Sequence, residues 1–376
     1  MRKYGIGVIG CGRISGTYLT NMTTKFSILN VVGVSDLIEE RSAAKAKEFN
    51  VRQMTNDEIY NSDEIDIVVN ITYPLSHHEV TCAALKAGKH VLCEKMMAVD
   101  MAQADEQMAL ANKMGKHLVI APDTFLGAGL QTCRKLIDAG MIGEPRTAVA
   151  HVIRGTLQME VEPVNNRMVL LPGGGIPFDM GGYYLSSLVN MLGPISRVSG
   201  FARPYNKEFL NVNNPNFGQH IDIETPTVSV GTLEFKSGVL GTFLTSSESF
   251  PSPQRLEIHG TEGILHCPDP NTFGGPVIFM RKPGGFTRPE SSEVPLTHGY
   301  SAGCNRGLGV AELAWSIEKN RTPRLQLGHH NFEAICAMWM SGEDNKTHTM
   351  KTMPERPAAL PSGFVDPPIM ETALAL

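Results

Sequence analysis

The feature that most restricts the fold of this chain is an alternation. Short β-branched runs recur through the first third at Ile6 to Ile9, Val31 to Ser35, Ile65 to Ile71, His90 to Cys93 and His117 to Ala121. Amphipathic stretches such as Ile38 to Phe49 and His78 to Ala87 lie between them. Strands separated by helices pair in parallel through right-handed crossovers, so this region is expected to form an α/β, doubly wound Rossmann sheet with helices on both faces. Gly88, behind Lys86-Ala87, is a helix C-cap in this reading.

Beyond Ala121-Pro122 the pattern changes. A helix from Leu130 to Ala139 is expected to stop at Gly140, and Ile142-Gly143-Glu144-Pro145 turns the chain into a strand over Thr147 to Ile153. Val228 to Phe235 and Val239 to Thr245 are joined by a short loop, as are Arg255 to His259 and Gly263 to His266. Short loops make antiparallel neighbours, which predicts a second, α+β domain on a largely antiparallel sheet with helices on one face. Helices return at Val310 to Glu318 and Asn331 to Met340. With 376 residues the chain exceeds one comfortable core. The expected division is a dinucleotide domain over 1–122, a substrate and oligomerisation domain over 123–345, and a Pro-rich arm over 346–376.

A net charge of -5 offers no field for polyanions, so nucleic acid is not an expected partner. The 7 cysteines are scattered and never form Cys-x-x-Cys, which reads as reduced thiols in a cytoplasmic protein. Met1-Arg2-Lys3-Tyr4 leads straight into the first strand, and no apolar run spans a bilayer, so no membrane partner is expected. His77-His78 and His329-His330 invite a metal reading, but adjacent helical residues diverge, and no metal is expected.

Gly10-Cys11-Gly12-Arg13-Ile14-Ser15 follows the first strand and opens a helix, the context in which a glycine-rich turn holds a dinucleotide. Gly10 permits the tight turn, and Gly12 lets the backbone approach a pyrophosphate at the helix N-terminus, flanked by Arg13 and Ile14. Asp36 ends the next strand at the spacing of an acid that takes the ribose hydroxyls. A carboxylate there favours NAD over NADP, although Arg41 could soften the preference. Asp36 as a simple cap of the following helix is the alternative.

Thr72-Tyr73-Pro74 with His77, followed by Ala87-Gly88-Lys89-His90-Val91-Leu92-Cys93-Glu94-Lys95, resembles the Gfo/Idh/MocA family of sugar and cyclitol oxidoreductases. The likeness continues through Gly173-Gly174-Gly175, Asp179-Met180-Gly181-Gly182-Tyr183, Glu257 to Gly263 and Asn305-Arg306-Gly307. It implies that the second domain's sheet is open, covers the nicotinamide and often supports homo-oligomers. Glu94 and Lys95 would lie beside the cofactor with Thr72 and His77, and Lys95, Asp179 and the residue four positions later would complete the site. In much of the family that later residue is histidine. Here it is Tyr183, as in the branch containing glucose-fructose oxidoreductase and dimeric dihydrodiol dehydrogenase.

A phenol titrates near about 10, so Tyr183 needs a cation such as Lys95 to lower it before it can serve as a base near neutrality. Lys95, facing the oxidised nicotinamide, is the rival base, and the reading takes the two together with Asp179 orienting the substrate hydroxyl or the lysine. Met96-Met97 stands where the family continues with proline, so other groups must restrain the Lys95 loop. Pro122-Asp123-Thr124-Phe125 replaces an arginine-rich stretch of many relatives. His151, on the second domain's first strand, and His330, near a helix start, are candidate substrate contacts, and Gly173 to Gly175 a backbone that closes over substrate. The expected reaction is hydride transfer between NAD and a secondary hydroxyl of a sugar, glycoside (C3 of the glycosyl ring included) or cyclitol. Reduction of a keto-sugar or dicarbonyl, and a non-catalytic dinucleotide-binding regulator, are the alternatives.

Overall fold

A computed structural model of the protein describes residues 2–155, 170–212, 217–282 and 290–362. The first domain is built on six parallel strands: β1 (Tyr4–Ile9), β2 (Leu29–Ser35), β3 (Arg52–Gln53), β4 (Ile67–Asn70), β5 (His90–Cys93) and β6 (Leu118–Ile120). Their order is β3-β2-β1-β4-β5-β6, so the chain reverses direction between β1 and β4. All of β1 and β4 is buried, as a sheet covered on both faces requires. The helices α1 (Ser15–Thr24), α2 (Glu39–Phe49), α3 (Asn56–Asn61), α4 (Pro74–Lys86) and α5 (Met101–Met114) supply the cover. Their ends carry local signals: a Thr55–Glu58 capping box opens α3, Asp100 accepts from the Gln103 N–H to open α5, and Gly115 at φ 62° closes it. Only β3 escapes the periodicity argument, because it is two exposed polar residues on a sheet edge.

After helix α6 (Ala128–Asp138) the second domain begins with β7 (Pro145–Ile153), followed by β8 (Ile195–Arg203), the small β9–β10 ribbon (Glu208–Leu210, His220–Asp222), β11 (Val228–Phe235) and β12 (Leu240–Ser246). Next come β13 (Arg255–Gly260), β14 (Gly263–His266), β15 (Ile278–Arg281), β16 (Glu290–Glu293) and β17 (His348–Thr349). Nine of these form one sheet ordered β16-β15-β14-β13-β7-β12-β11-β8-β17. It is antiparallel throughout except for the β7–β12 pair, which is parallel because the segment between them crosses over through two helices and β8.

One face of this sheet is covered by the helices Gly181–Leu192 and Gly328–Asp344. The alternation shows it: in β7, Ala148, Ala150 and Val152 are buried and their neighbours are not. Gly200 and Gly231 let the second of these helices sit close, since a Cβ on Gly231 would come 2.7 Å from Met338 Cε. On the other face Phe201, Val230 and Leu240 stay exposed. No helix among the described residues is long and apolar enough to cross a membrane.

One late segment ties the domains together, and another docks on the second domain. Asn21 of α1 donates to the carbonyls of Cys304 (3.0 Å) and Arg306 (2.8 Å), so the helix Leu308–Glu318 packs back on the first domain. Its first N–H groups are capped from a distance: Asp123 Oδ2 accepts from Gly307 N and Gly309 N, each at 2.9 Å. The C-terminal arm, described as far as residue 362, is docked. Leu360 is buried with its N–H on Gln131 Oε1, Arg134 holds the Pro357 carbonyl, and Arg324 holds those of Ala358 and Ala359.

Asp123→Ala is expected to cost roughly 2–3 kcal/mol, because two buried N–H groups lose their acceptor. Urea unfolding should show a lower midpoint with an unchanged slope. Burial pushes the Asp123 carboxyl up to about 6, despite the opposing pull of Arg306 and the helix N–H groups. The unfolded chain titrates near about 4, so between these values the fold holds a proton that the unfolded chain releases. Wild-type stability should therefore fall relative to the variant as pH rises through that window.

Candidate active site

The loops at the carboxyl ends of β1, β2, β4 and β5 open on a crevice, the place where a doubly wound sheet binds its ligand. The crevice is a cavity of about 550 Å³. Its first-domain wall includes Gly10, Gly12, Arg13, Ile14, Asp36, Thr72, Glu94 and Lys95, and its second-domain wall Arg154, Gly173 to Gly175, Asp179, Tyr183, Asn271 and Arg306.

The glycine turn fits a dinucleotide. Gly10 has φ 108°, and a Cβ there would lie 2.6 Å from the Ile71 carbonyl oxygen, so only glycine closes the turn. A Cβ on Gly12 would meet nothing within 4 Å, which leaves its backbone open to the cavity at the start of α1. Ser15, the third small residue of the motif, is buried with its hydroxyl on Gly12 O at 2.6 Å. Asp36 accepts from Cys11 N (2.6 Å) and Ile38 N (2.8 Å) while lining the cavity, so it caps the local turns from the position expected of a ribose-binding acid.

Four charges meet around Tyr183. Glu94 accepts from Tyr18 Oη at 2.8 Å and from Lys95 N at 3.0 Å. Lys95 Nζ forms an ion pair with Asp179 Oδ1 and donates to the Asp179 carbonyl at 3.1 Å. Asp179 closes the short helix Ile176–Asp179, and Tyr183 lies one turn on at the start of Gly181–Leu192, so both side chains face Lys95. Arg306 donates to Tyr183 Oη at 2.6 Å and to Asn271 Oδ1 at 2.9 Å, with its Nη1 3.9 Å from Glu94. The Lys95 ammonium lies 5.3 Å and the Arg306 guanidinium 5.4 Å from the Tyr183 ring centre.

Protonation follows from this packing. Burial acts to lower the Lys95 pKa, but Asp179, Tyr183 and Glu94 outweigh it and hold the ammonium above its ordinary value. Burial acts to raise Asp179, and Lys95, Arg154 and Arg306 bring its carboxyl below the usual range. Tyr183 is raised by burial, which Lys95 and Arg306 do not cancel. The expectation that Lys95 lowers the phenol into a base is thus corrected: its pull is present, but desolvation wins and the hydroxyl keeps its proton.

The Lys95 loop lacks proline but not restraint. His77 Nδ1 binds the Met96 carbonyl and Gln107 Nε2 that of Met97 at 2.8 Å. The other His77 nitrogen meets the Thr72 carbonyl at 3.0 Å, and burial lowers the ring's pKa. His77 is therefore a strut behind the cavity wall, whereas Thr72 lines the cavity itself.

Two expected substrate contacts lie elsewhere. His330 is 1 % exposed, accepts from Ile195 N at 2.9 Å and binds Thr352, and its pKa is pushed down to about 4 by burial. His151 has the parity of the open face of β7, where it meets Thr242 at 3.3 Å. The residues missed are Tyr18, Arg154 and Arg306. Arg154 was readable from strand alternation, since it continues the inward series Ala148, Ala150, Val152. Arg306 stood in the Asn305-Arg306-Gly307 stretch of the family likeness without a role assigned to it, and nothing local marks Tyr18. Among the described residues His78, Cys82 and Glu106 lie at ligand spacing, on α4 and α5 outside the cavity.

Residues 4–121 match the family model described as "Oxidoreductase family, NAD-binding Rossmann fold", and residues 130–266 match "GFO/IDH/MocA C-terminal domain". The chain belongs to the Gfo/Idh/MocA family of oxidoreductases. Myo-inositol 2-dehydrogenase of Thermotoga maritima is 25% identical over 270 residues, covering 69% of this chain and 74% of that protein. An oxidoreductase domain protein from Kribbella flavida superposes with a TM-score of 0.80 at 21% identity, over 94% of this chain and 100% of that one. Levoglucosan dehydrogenase in complex with NADH and L-sorbose does so with a TM-score of 0.79 at 17% identity, over 93% and 99%. The first domain of this oxidoreductase is accordingly an NAD-binding Rossmann fold, and Gly10 to Ile14 with Asp36 fit the dinucleotide.

Gly10→Ala should weaken NAD binding by at least roughly tenfold, because the added methyl strains the turn and collides with backbone. Titration calorimetry with NADH measures it, and unchanged affinity would count against the turn as the pyrophosphate site.

Proposed function

We propose that this oxidoreductase moves a hydride between C4 of the nicotinamide and a secondary carbinol carbon of a sugar, glycoside or cyclitol. The observation that carries the reading is Lys95, paired with Asp179, beside Tyr183, whose hydroxyl accepts from Arg306, in the cavity wall that faces the glycine turn. NAD supplies the redox chemistry when bound, and the protein orients the reactants, excludes water and manages one proton.

The roles follow from the hydrogen bonds. Tyr183 Oη accepts from Arg306, so its own proton is free to donate to a substrate oxygen. Lys95 reaches the same oxygen and carries the proton exchanged in the reaction, while Asp179 fixes the ammonium and Glu94 braces the loop. The inositol and levoglucosan names among the similar proteins support a polyhydroxylated ring as substrate, C3 of a glycosyl ring being one position at which it is oxidised. Asp36 supports NAD over NADP, since a 2′-phosphate would meet its carboxylate.

One observation favours reduction of a keto-sugar or dicarbonyl as the working direction. The pKa values of Lys95 and Tyr183 are both held above their ordinary values, Lys95 by Asp179 and Tyr183 by burial, which suits donation of a proton to a carbonyl oxygen. Oxidation first requires the lysine to lose its proton.

We further propose that the chain forms homo-oligomers through the open sheet face, where exposed Phe201 and Val230 are direct neighbours across β8 and β11 and Leu240 is exposed farther along β12. Light scattering that reads a monomer at micromolar concentration overturns this.

The reaction is tested by following NADH absorbance with a panel of sugars, glycosides and inositols, and their keto forms in reverse. Silence throughout, with NADH bound, would instead support a non-catalytic regulator. Lys95→Met should lower kcat by roughly 10²–10⁴ and Tyr183→Phe by less, about tenfold to a hundredfold, with NADH affinity kept in both. Oxidation should quicken as pH rises from neutral into the alkaline range and reduction should slow, because the raised Lys95 pKa keeps the ammonium charged below that range. A flat profile in both directions removes Lys95 as the proton carrier.

A further inference from the structure

We propose that the substrate of this oxidoreductase carries an anionic group, a carboxylate or a phosphate, and that Arg154 reads it. The inference rests on the hydride-transfer reading above and adds the substrate's charge to it.

Strand geometry places the residue. Side chains of β7 alternate, with Ala148, Ala150 and Val152 buried against the helices, and Arg154 is the next residue of that series. Its backbone N–H is still held by the Ser246 carbonyl at 3.0 Å, so the chain remains in strand register there. A position that would hold an apolar side chain farther back in the strand holds a guanidinium where the strand runs into the cavity, which Arg154 lines.

The charges of the substrate end then do not cancel. Lys95 is paired with Asp179, and Arg306 with Glu94. Arg154 is near enough to Asp179 to help hold its carboxyl down, yet it has no salt bridge and no side-chain hydrogen bond among the described residues. Among the described residues one positive charge is left over. Arg306, although its charge is met by Glu94, is 9 % exposed and its Nη1 has no hydrogen-bond partner among the described residues, so it keeps a donor for a ligand oxygen. An oxidised nicotinamide would bring a further positive charge, so a neutral ring leaves this end uncompensated while an anionic one offsets part or all of the excess. Arginine is also the side chain whose planar fork matches two oxygens of a carboxylate or phosphate at once.

The competing role for Arg154 is the cofactor's pyrophosphate, and the experiment separates the two. NADH formation is followed with matched sets: D-glucose, D-glucuronate and D-glucose 6-phosphate, and the galactose counterparts. For wild type, higher kcat/KM with the acids or the phosphates than with the neutral sugars is expected, and which of the two leads identifies the anion. Arg154→Met should raise KM for the preferred anion by at least about tenfold more than for the neutral sugar, keep the NADH dissociation constant, and be partly rescued by Arg154→Lys. A wild-type preference for neutral sugars, an equal loss on both classes, or a loss confined to NADH affinity each overturns the proposal, while the hydride-transfer reading survives as long as any sugar reduces NAD.

Should no compound in the sets react, thermal melting of the NADH-loaded protein decides. Stabilisation by an acid or phosphate that disappears in Arg154→Met supports the site, and its absence in wild type sinks it.

Discussion

Charges taken out of water must be paired, and the seam between the two domains is built on that requirement. Lys95 comes from the first domain, Asp179 and Tyr183 from the second, and Arg306 from the stretch that leads back onto α1. Each pairing crosses chain segments far apart in sequence, so the cluster forms only when both domains have folded and docked. Its net contribution to stability need not be large, because desolvation offsets much of the Coulomb attraction. Its contribution to geometry is larger: losing any one partner leaves another charge buried and unmatched, so a relative shift of the domains is opposed from several directions at once.

The same pairing sets the chemistry. A lysine buried without partners would drift toward neutrality, and a tyrosine packed between two cations in water would drift toward ionisation. Neither happens here. Asp179, with Tyr183 and Glu94, outweighs the desolvation of Lys95, and desolvation of Tyr183 outweighs its two cations. The site is therefore a proton-loaded one, and its ability to work in the oxidative direction depends on what a bound cofactor's charge does to a lysine held this firmly.

Much of the fold was legible because periodicity is a property of every residue in an element. β5 and β11 fall where the alternation put them, and Gly88 and Gly140 end their helices with positive φ. The single parallel pair, β7 with β12, was not legible, since adjacency in space across a long connection leaves no mark on either strand. The cofactor wall was readable for a related reason: a glycine turn and the acid after the next strand are local features. Tyr183 was placed in the site by the family resemblance, but the burial that keeps its proton and the bond it accepts from Arg306, more than a hundred residues away, come from the tertiary structure. His77 and His330 were misjudged because a histidine's job is set by the carbonyls and N–H groups facing its two nitrogens, and those come from other elements.

His151 and Arg154 show how little separates a structural position from a functional one. They stand three residues apart at the end of β7, on opposite sides of the sheet, because three is odd and the pleat has a period of two. The histidine is the more suggestive residue by type, and the fold turns it away from the cavity. The arginine has no special type or motif, yet register alone delivers its charge to the substrate end. In the proposed reading, the groups near the nicotinamide are paired ones that hold the domains in place, whereas substrate choice would rest on a group with no structural partner among the described residues. An uncompensated charge there costs the protein little until a ligand arrives, which makes the end of β7 the place where substrate preference can change without disturbing the reaction.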